Sequence, residues 1–224
     1  MAVPRKAPAT KRPSPKPKLP AIGFVGAGNM ASALIRGVLA AGLCTPESVY
    51  ASDIDRTKLQ ALKRQTKIHT LSDNLALMRA VKIVVLAVKP QDLDSVLPAI
   101  RPAITASHLV ISIAAGVPIS RIEERLGGQI RVVRAMPNTP ALVGMGMTAL
   151  VPGRHATSAD TQLAEQIFAA AGQAVVLPDE RMLDAVTGLS GSGPAYVFLF
   201  AEGLIAGGVA AGLTATLAAR LTYQ

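Results

Sequence analysis

Residues 26–31, Gly26-Ala27-Gly28-Asn29-Met30-Ala31, carry the spacing G-x-G-x-x-A. That spacing suits a turn that grips phosphate. Gly26 permits a tight bend, Gly28 leaves no side chain where a pyrophosphate must reach the backbone, and Ala31 lets the next helix pack close to a strand. The first N–H groups of such a helix, with its dipole, attract anionic oxygens. Farther on stands Ser52-Asp53-Ile54-Asp55-Arg56, about where a dinucleotide-binding unit reads its ribose. Asp53 can accept from the ribose hydroxyls of NAD, and Arg56 can hold the 2′-phosphate of NADP. The sequence carries both types, so it leaves both cofactors open. A plainer role also exists for Asp53 and Asp55, because acids are favoured at a helix start.

A lone glycine motif is weak, so the elements around it must carry the argument. Ala21 to Val25 is a short apolar run that leads directly into the motif. Leu34, Ile35, Val38 and Leu39 then recur at helical spacing, and Gly42 is placed to end that helix. Further strands are expected at 48–52 (SVYAS), 82–88 (KIVVLAV), 108–116 (HLVISIAAG) and 129–136 (QIRVVRAM). Strands that alternate with helices predict an α/β fold with a doubly wound sheet. In such sheets ligands lie beyond the carboxyl ends of the strands. That rule points to Ala87-Val88-Lys89-Pro90, to Ala114-Ala115-Gly116 and to Met136-Pro137-Asn138-Thr139-Pro140. Taken singly, Lys89 reads as a solvated loop lysine and Pro90 as a helix start.

Composition narrows the classes. Half of the 224 residues are hydrophobic, aromatics are 3%, and Trp is absent, which suits a parallel sheet covered by helices. Cys44 is the single cysteine, so no intrachain disulfide forms, and the cytoplasm is the expected compartment. His69, His108 and His155 stand far apart, and no metal site is expected. The net charge of +9 resembles a nucleic-acid signal until it is located. Residues 1–19 hold six Lys and Arg with no acid, which leaves an ordinary +3 for the rest. That Pro-rich stretch reads as a disordered tail without a secretory apolar segment, and no nucleic-acid partner is expected. Near the other end, Ala195 to Leu213 is almost entirely apolar. It comes close to membrane-span length, but Glu202 in its middle would be costly in lipid. A buried helix is the favoured reading, and no membrane is expected.

Five stretches together, IGFVGAGNM, LAVKPQ, VISIAAGV, RAMPNTPALVGMGMTAL and VTGLSGSGPAYVF, resemble the pyrroline-5-carboxylate reductase family in order and spacing. MPNTP and LSGSGPAY are the specific ones. The resemblance implies a Rossmann-like doubly wound sheet over residues 20–181, followed by an all-helical dimerisation domain over 182–224. It implies an oxidoreductase that reduces 1-pyrroline-5-carboxylate to L-proline by hydride transfer, the last step of proline biosynthesis. NADP(H) is the favoured cofactor and NAD(H) the alternative. A homodimer or higher homo-oligomer follows, its helices intertwined and completing the active site.

Carried onto this sequence, the family roles give Gly26, Ala27, Gly28, Asn29 and Met30 to the pyrophosphate. Ser52, Asp53 and Arg56 surround the adenosine ribose, and Asn74 reaches the adenine side. Ala87, Val88, Lys89 and Pro90, with Ile113, Ala114 and Ala115, line the cofactor toward the nicotinamide. Asn138 and Thr139 fall near the reacting ring without an assigned task. Ser192 and Gly193, read as opening the last long helix, offer either an anion site for substrate or a plain hinge. No acid–base pair stands out, and none is needed if the imine arrives protonated. The resemblance further implies a Ser-Pro-Gly-Gly-Thr-Thr-like segment for the substrate carboxylate, and the sequence ends at Gln224 before one appears. The helical domain is therefore expected to be incomplete, with a non-catalytic nucleotide-binding remnant as the alternative function.

Overall fold

The computed structural model describes residues 19–224. The basic tail therefore lies outside the described residues except for Leu19, which is buried and donates its N–H to the Leu43 carbonyl at 2.9 Å. Leu19 thus belongs to the folded body rather than to the tail.

In chain order the elements are β1 (Ile22–Val25), α1 (Asn29–Ala40), β2 (Val49–Ser52), α2 (Arg56–Thr66), β3 (His69–Leu71), α3 (Asn74–Ala80) and β4 (Ile83–Leu86). Next come α4 (Leu93–Ile100), β5 (Leu109–Ser112), α5 (Ile119–Leu126), β6 (Arg131–Pro137), β7 (Gly146–Pro152), α6 (Ser158–Ala169) and β8 (Gly172–Val176). The chain closes with α7 (Met182–Val186), a π-turn (Thr187–Gly191), α8 (Gly193–Ala210) and α9 (Ala215–Tyr223).

The strands form one sheet in the order β3-β2-β1-β4-β5-β6-β7-β8. The first six follow the doubly wound order, with the crossover between β1 and β4. Every residue of β1, β4 and β5 is buried, as expected of strands covered on both faces. Leu34, Ile35 and Val38 of α1 pack in one core layer, and Leu77, Leu97 and Ile122 of α3, α4 and α5 pack in the other.

Local chemistry sets the helix ends. Asp55 caps α2 by accepting from the N–H groups of Thr57 and Lys58, and Asp73 caps α3 in the same way. The plainer role foreseen for Asp55 is therefore the observed one. Gly42 follows α1 at φ +66°, a conformation suited to ending a helix.

The strands at 82–88 and 108–116 are shorter than their apolar runs. Each leaves the sheet, at Ala87 and at Ile113, because the chain there turns into a loop at the sheet edge. Three strands had no sequence reading. β7 runs antiparallel to β6, and β8 joins it in parallel at the far edge.

The carboxyl-terminal helices differ most from expectation. Gly193 opens α8 as expected, but the π-turn at Thr187–Gly191 joins α7 to it, so Met182–Ala210 is one continuous helical run. The run is long and apolar enough to cross a membrane, and none of its most apolar window is buried. Tyr196, Val197, Phe198, Leu199 and Phe200 are each more than half exposed. Burying one such side chain is worth roughly 1.5–3 kcal/mol, so this face calls for a cover. Among the described residues α8 packs chiefly on α9, where a Cβ on Gly208 would lie 3.1 Å from Ala218 Cβ.

Candidate functional site

The carboxyl ends of β2, β1, β4, β5 and β6 lie side by side. Nearly every residue singled out in the sequence falls along that edge. The centre is the turn from β1 to α1. Gly26 sits at φ +102°, and a Cβ there would stand 2.6 Å from the Ala87 carbonyl oxygen. Only glycine fits, because the β1 and β4 loops touch at that point. Gly28 is different. Its φ is −71°, and a Cβ there would meet nothing within 4 Å. The space above Gly28 is open, and no side chain caps α1. That is the cradle a pyrophosphate needs: free N–H donors, helix dipole and room.

The ribose-reading stretch is tied to this turn. Asp53 Oδ2 accepts from Ala27 N–H at 2.7 Å, and its Oδ1 accepts from Asp55 N–H at 2.8 Å. Asp53 therefore braces the glycine turn while its carboxylate stays partly exposed. The buried Ser52 hydroxyl donates to Asn74 Oδ1 at 2.7 Å, which locks the end of β2 to the start of α3. Arg56 is exposed as the first residue of α2 and makes no ion pair among the described residues. Ile54 beside it is fully exposed. Charge sits close by: the Thr57 hydroxyl and the Lys58 N–H hold the Asp55 carboxyl below its ordinary range.

The other strand ends supply space rather than charge. Ala87 N–H donates to Val25 O at 2.8 Å and Ile113 N–H to Leu86 O at 3.1 Å, so the β1, β4 and β5 loops are strung together. Ala87 and Val88 are half-buried, Lys89 and Pro90 are exposed, Ala114 is buried and Ala115 is exposed. This is a wall of small groups with one cation at its outer end. A flat ring can lie against such a wall.

Two placements correct the sequence reading. Asn138 is buried, and both ends of its amide are spent on protein: Oδ1 accepts from Met147 N–H at 2.8 Å, and Nδ2 donates to Ser190 O at 3.0 Å. It therefore joins the loop after β6 to the π-turn, while Thr139 beside it is exposed. Ser192 and Gly193 lie inside the helical run. The Ser192 N–H donates to Thr187 O at 2.8 Å, and Pro194 has no N–H, so no free row of donors remains there for an anion. The bracing of the turn by Asp53 was missed because it links residues 26 positions apart.

The comparisons with known proteins divide along the same lines. The family described as "NADP oxidoreductase coenzyme F420-dependent" matches residues 21–116, and the one described as "Pyrroline-5-carboxylate reductase dimerisation" matches residues 180–224. A pyrroline-5-carboxylate reductase from Methanosarcina acetivorans is 46% identical over 203 residues, covering 91% of this chain and 75% of that protein. One from Pseudomonas aeruginosa is 40% identical over 92% of this chain and 75% of its own length. Among solved structures, the pyrroline-5-carboxylate reductase of Coxiella burnetii superposes with a TM-score of 0.83 at 37% identity, covering 92% of this chain and 76% of that one. The Plasmodium falciparum pyrroline carboxylate reductase, solved with NADP bound, gives 0.81 at 36% identity, with coverage of 94% and 76%.

Proposed function

The chain belongs to the pyrroline-5-carboxylate reductase family, and we propose that its strand-end cleft takes NADPH and reduces the C=N bond of 1-pyrroline-5-carboxylate to give L-proline. The observation that carries this reading is the pairing of two things in one chain. The likeness to named reductases runs through both the sheet and the helices, and the turn at Gly28 is open where a pyrophosphate belongs.

When bound, the nicotinamide supplies the hydride that C5 of the imine receives. The protein's part is to hold and orient. Asn29 to Ala31 offer N–H groups to the pyrophosphate from the start of α1, and Gly28 lets it approach. Asp53 keeps that turn in shape through Ala27. Ala87, Ala114 and Ala115 leave room for the ring and exclude water from one face of it. An imine nitrogen that arrives protonated needs no side chain to deliver a proton there. Fixing two rings at contact distance is the main lever on rate. The non-catalytic alternative draws no support from the comparisons.

NADPH rather than NADH is favoured by Arg56, an exposed cation beside the end of β2 that has no acidic partner among the described residues. Asp53 opposes it less than its charge suggests, since two backbone N–H groups already satisfy both its oxygens. A second copy of the chain is the proposed cover for the apolar face of α8, so the long helix packs on protein rather than lipid, in the cytoplasm. The test is an NADPH titration of the purified chain followed by oxidation with and without 1-pyrroline-5-carboxylate. Binding with substrate-dependent oxidation supports the reading, and failure of NADPH to bind would overturn it.

A further inference from the structure

Glu180 stands just before α7, where the helical segment departs from the sheet. Its Oε1 accepts two hydrogen bonds. One comes from the Ile119 N–H at 2.8 Å, and the other from Arg134 Nη1 at 2.7 Å. Ile119 is the first residue of α5 and follows the 113–118 loop that lines the cleft. Arg134 lies opposite Ser112, in the last register pair between β5 and β6. One carboxylate oxygen therefore joins the end of the cleft loop, the middle of β6 and the root of the helical segment. Among the described residues this is the one ion pair that connects residues 180–224 to the sheet.

The pair is poorly placed to serve stability alone. The Arg134 side chain is 8% exposed and that of Glu180 28%. Ion pairs this dry often add little net stability, because desolvation offsets their attraction. What they do supply is a fixed distance and direction. Packing reinforces it: Leu183, one turn beyond Glu180, is fully buried in the same core layer as Val117, Ile119 and Ile122.

We propose that Glu180 is a positioning residue for hydride transfer, clamping the helical segment to the 113–118 loop so that substrate side and cofactor side keep one alignment. The proposal rests on the functional reading above. A misplacement of about 1 Å can cost on the order of 100-fold in rate, so the clamp acts on kcat more than on binding.

The deciding variant is the double substitution Arg134→Met with Glu180→Gln. It removes the ion pair and leaves no unpaired buried charge, and the neutral Gln holds the Ile119 N–H more weakly than the carboxylate, so the clamp loosens on both sides. The expected result is a melting temperature close to that of the wild type and an NADPH Kd and substrate KM within about twofold. The kcat should fall by about tenfold or more. The fluorescence of bound NADPH should change, and amide exchange should quicken at 113–119 and 182–190. Wild-type kcat, fluorescence and exchange in the double variant would overturn the proposal. So would a kcat loss matched by equal loss of NADPH affinity and melting temperature, which marks a merely structural pair. A wild-type chain that binds NADPH without turnover leaves fluorescence and exchange to decide. A wild-type chain that binds no NADPH would strike the functional reading instead, and exchange in the free chain would still judge the clamp.

Discussion

Gly26 and Gly28 are two residues apart, yet the structure gives them separate tasks that substitution can separate. At Gly26 a methyl group would stand 2.6 Å from the Ala87 carbonyl oxygen and 2.8 Å from its carbon, both backbone atoms, at φ +102°. The conformation alone costs about 1–3 kcal/mol, and the overlap adds to it. For a domain of this size each kcal/mol lowers Tm by about 2–4 °C, so Gly26→Ala should lose about 4 °C or more. At Gly28 a methyl group meets nothing, and φ is ordinary. Gly28→Ala exchanges a gain of about 0.4–1 kcal/mol from a stiffer unfolded chain against a poorer helix cap. Its Tm should stay within about 2 °C of wild type. The same methyl group occupies the space where the pyrophosphate meets the backbone. Forcing a methyl into filled space costs about 1–3 kcal/mol, roughly 5- to 150-fold in NADPH Kd. Differential scanning calorimetry and isothermal titration on both variants decide the matter. Gly28→Ala with unchanged NADPH affinity would refute the cradle, and equal Tm losses in both variants would refute the claim that Gly28 faces open space.

Other substitutions probe the remaining parts. Arg56→Ala should weaken NADPH by about tenfold, a typical size for one exposed charge-assisted contact, and leave NADH unchanged; equal loss for both cofactors would contradict the 2′-phosphate assignment. Asn138→Ala orphans the Met147 N–H and the Ser190 carbonyl. It should cost about 1–3 kcal/mol for each buried group left unpaired, seen as a lower Tm with NADPH affinity intact. Phe200→Asp puts a charge on the bare face of α8 and should convert the assembly to monomers in sedimentation velocity; an unchanged oligomer would place the interface elsewhere. Arg181 hydrogen-bonds Asp179 and lowers its carboxyl from 3.8 to about 2. That contact is fully present above pH 3.8 and is lost as pH falls toward 2. Asp179→Asn should therefore flatten the fall of Tm across that interval.

What could be read in advance follows a physical rule. The strands β1, β4 and β5 are buried on both faces, so unbroken runs such as IVVL and LVIS announce them. The glycine turn is visible because backbone sterics act locally. β3, β7 and β8 were not legible. β3 is three residues long, β7 begins in a Gly- and Met-rich stretch, and β8 lies at the half-exposed edge with Val175 and Val176 partly outward. The antiparallel insertion of β7 leaves no periodic mark at all. Site residues divide in the same way. Gly26, Gly28 and the strand-end loops follow from topology. The partners of Asp53, Asn138 and Glu180 lie 26, 52 and 61 positions away, and only the fold brings them together. Asn138 shows the hazard most plainly, for a polar residue at a strand end looks like a ligand group until its amide is found holding two backbone segments. The π-turn at 187–191 had no sequence reading: Ser192 and Gly193 read as a helix start with an anion site or a hinge, yet the helical run reaches them from α7.

The central claim is that this chain reduces a cyclic imine with NADPH bound along the strand ends. The most direct test is the loss of nicotinamide absorbance when the purified chain, saturated with NADPH, receives 1-pyrroline-5-carboxylate, with proline measured in the same sample. The account predicts oxidation that depends on substrate and yields one proline per NADPH consumed. NADPH that binds yet stays reduced, with no proline formed, would contradict it.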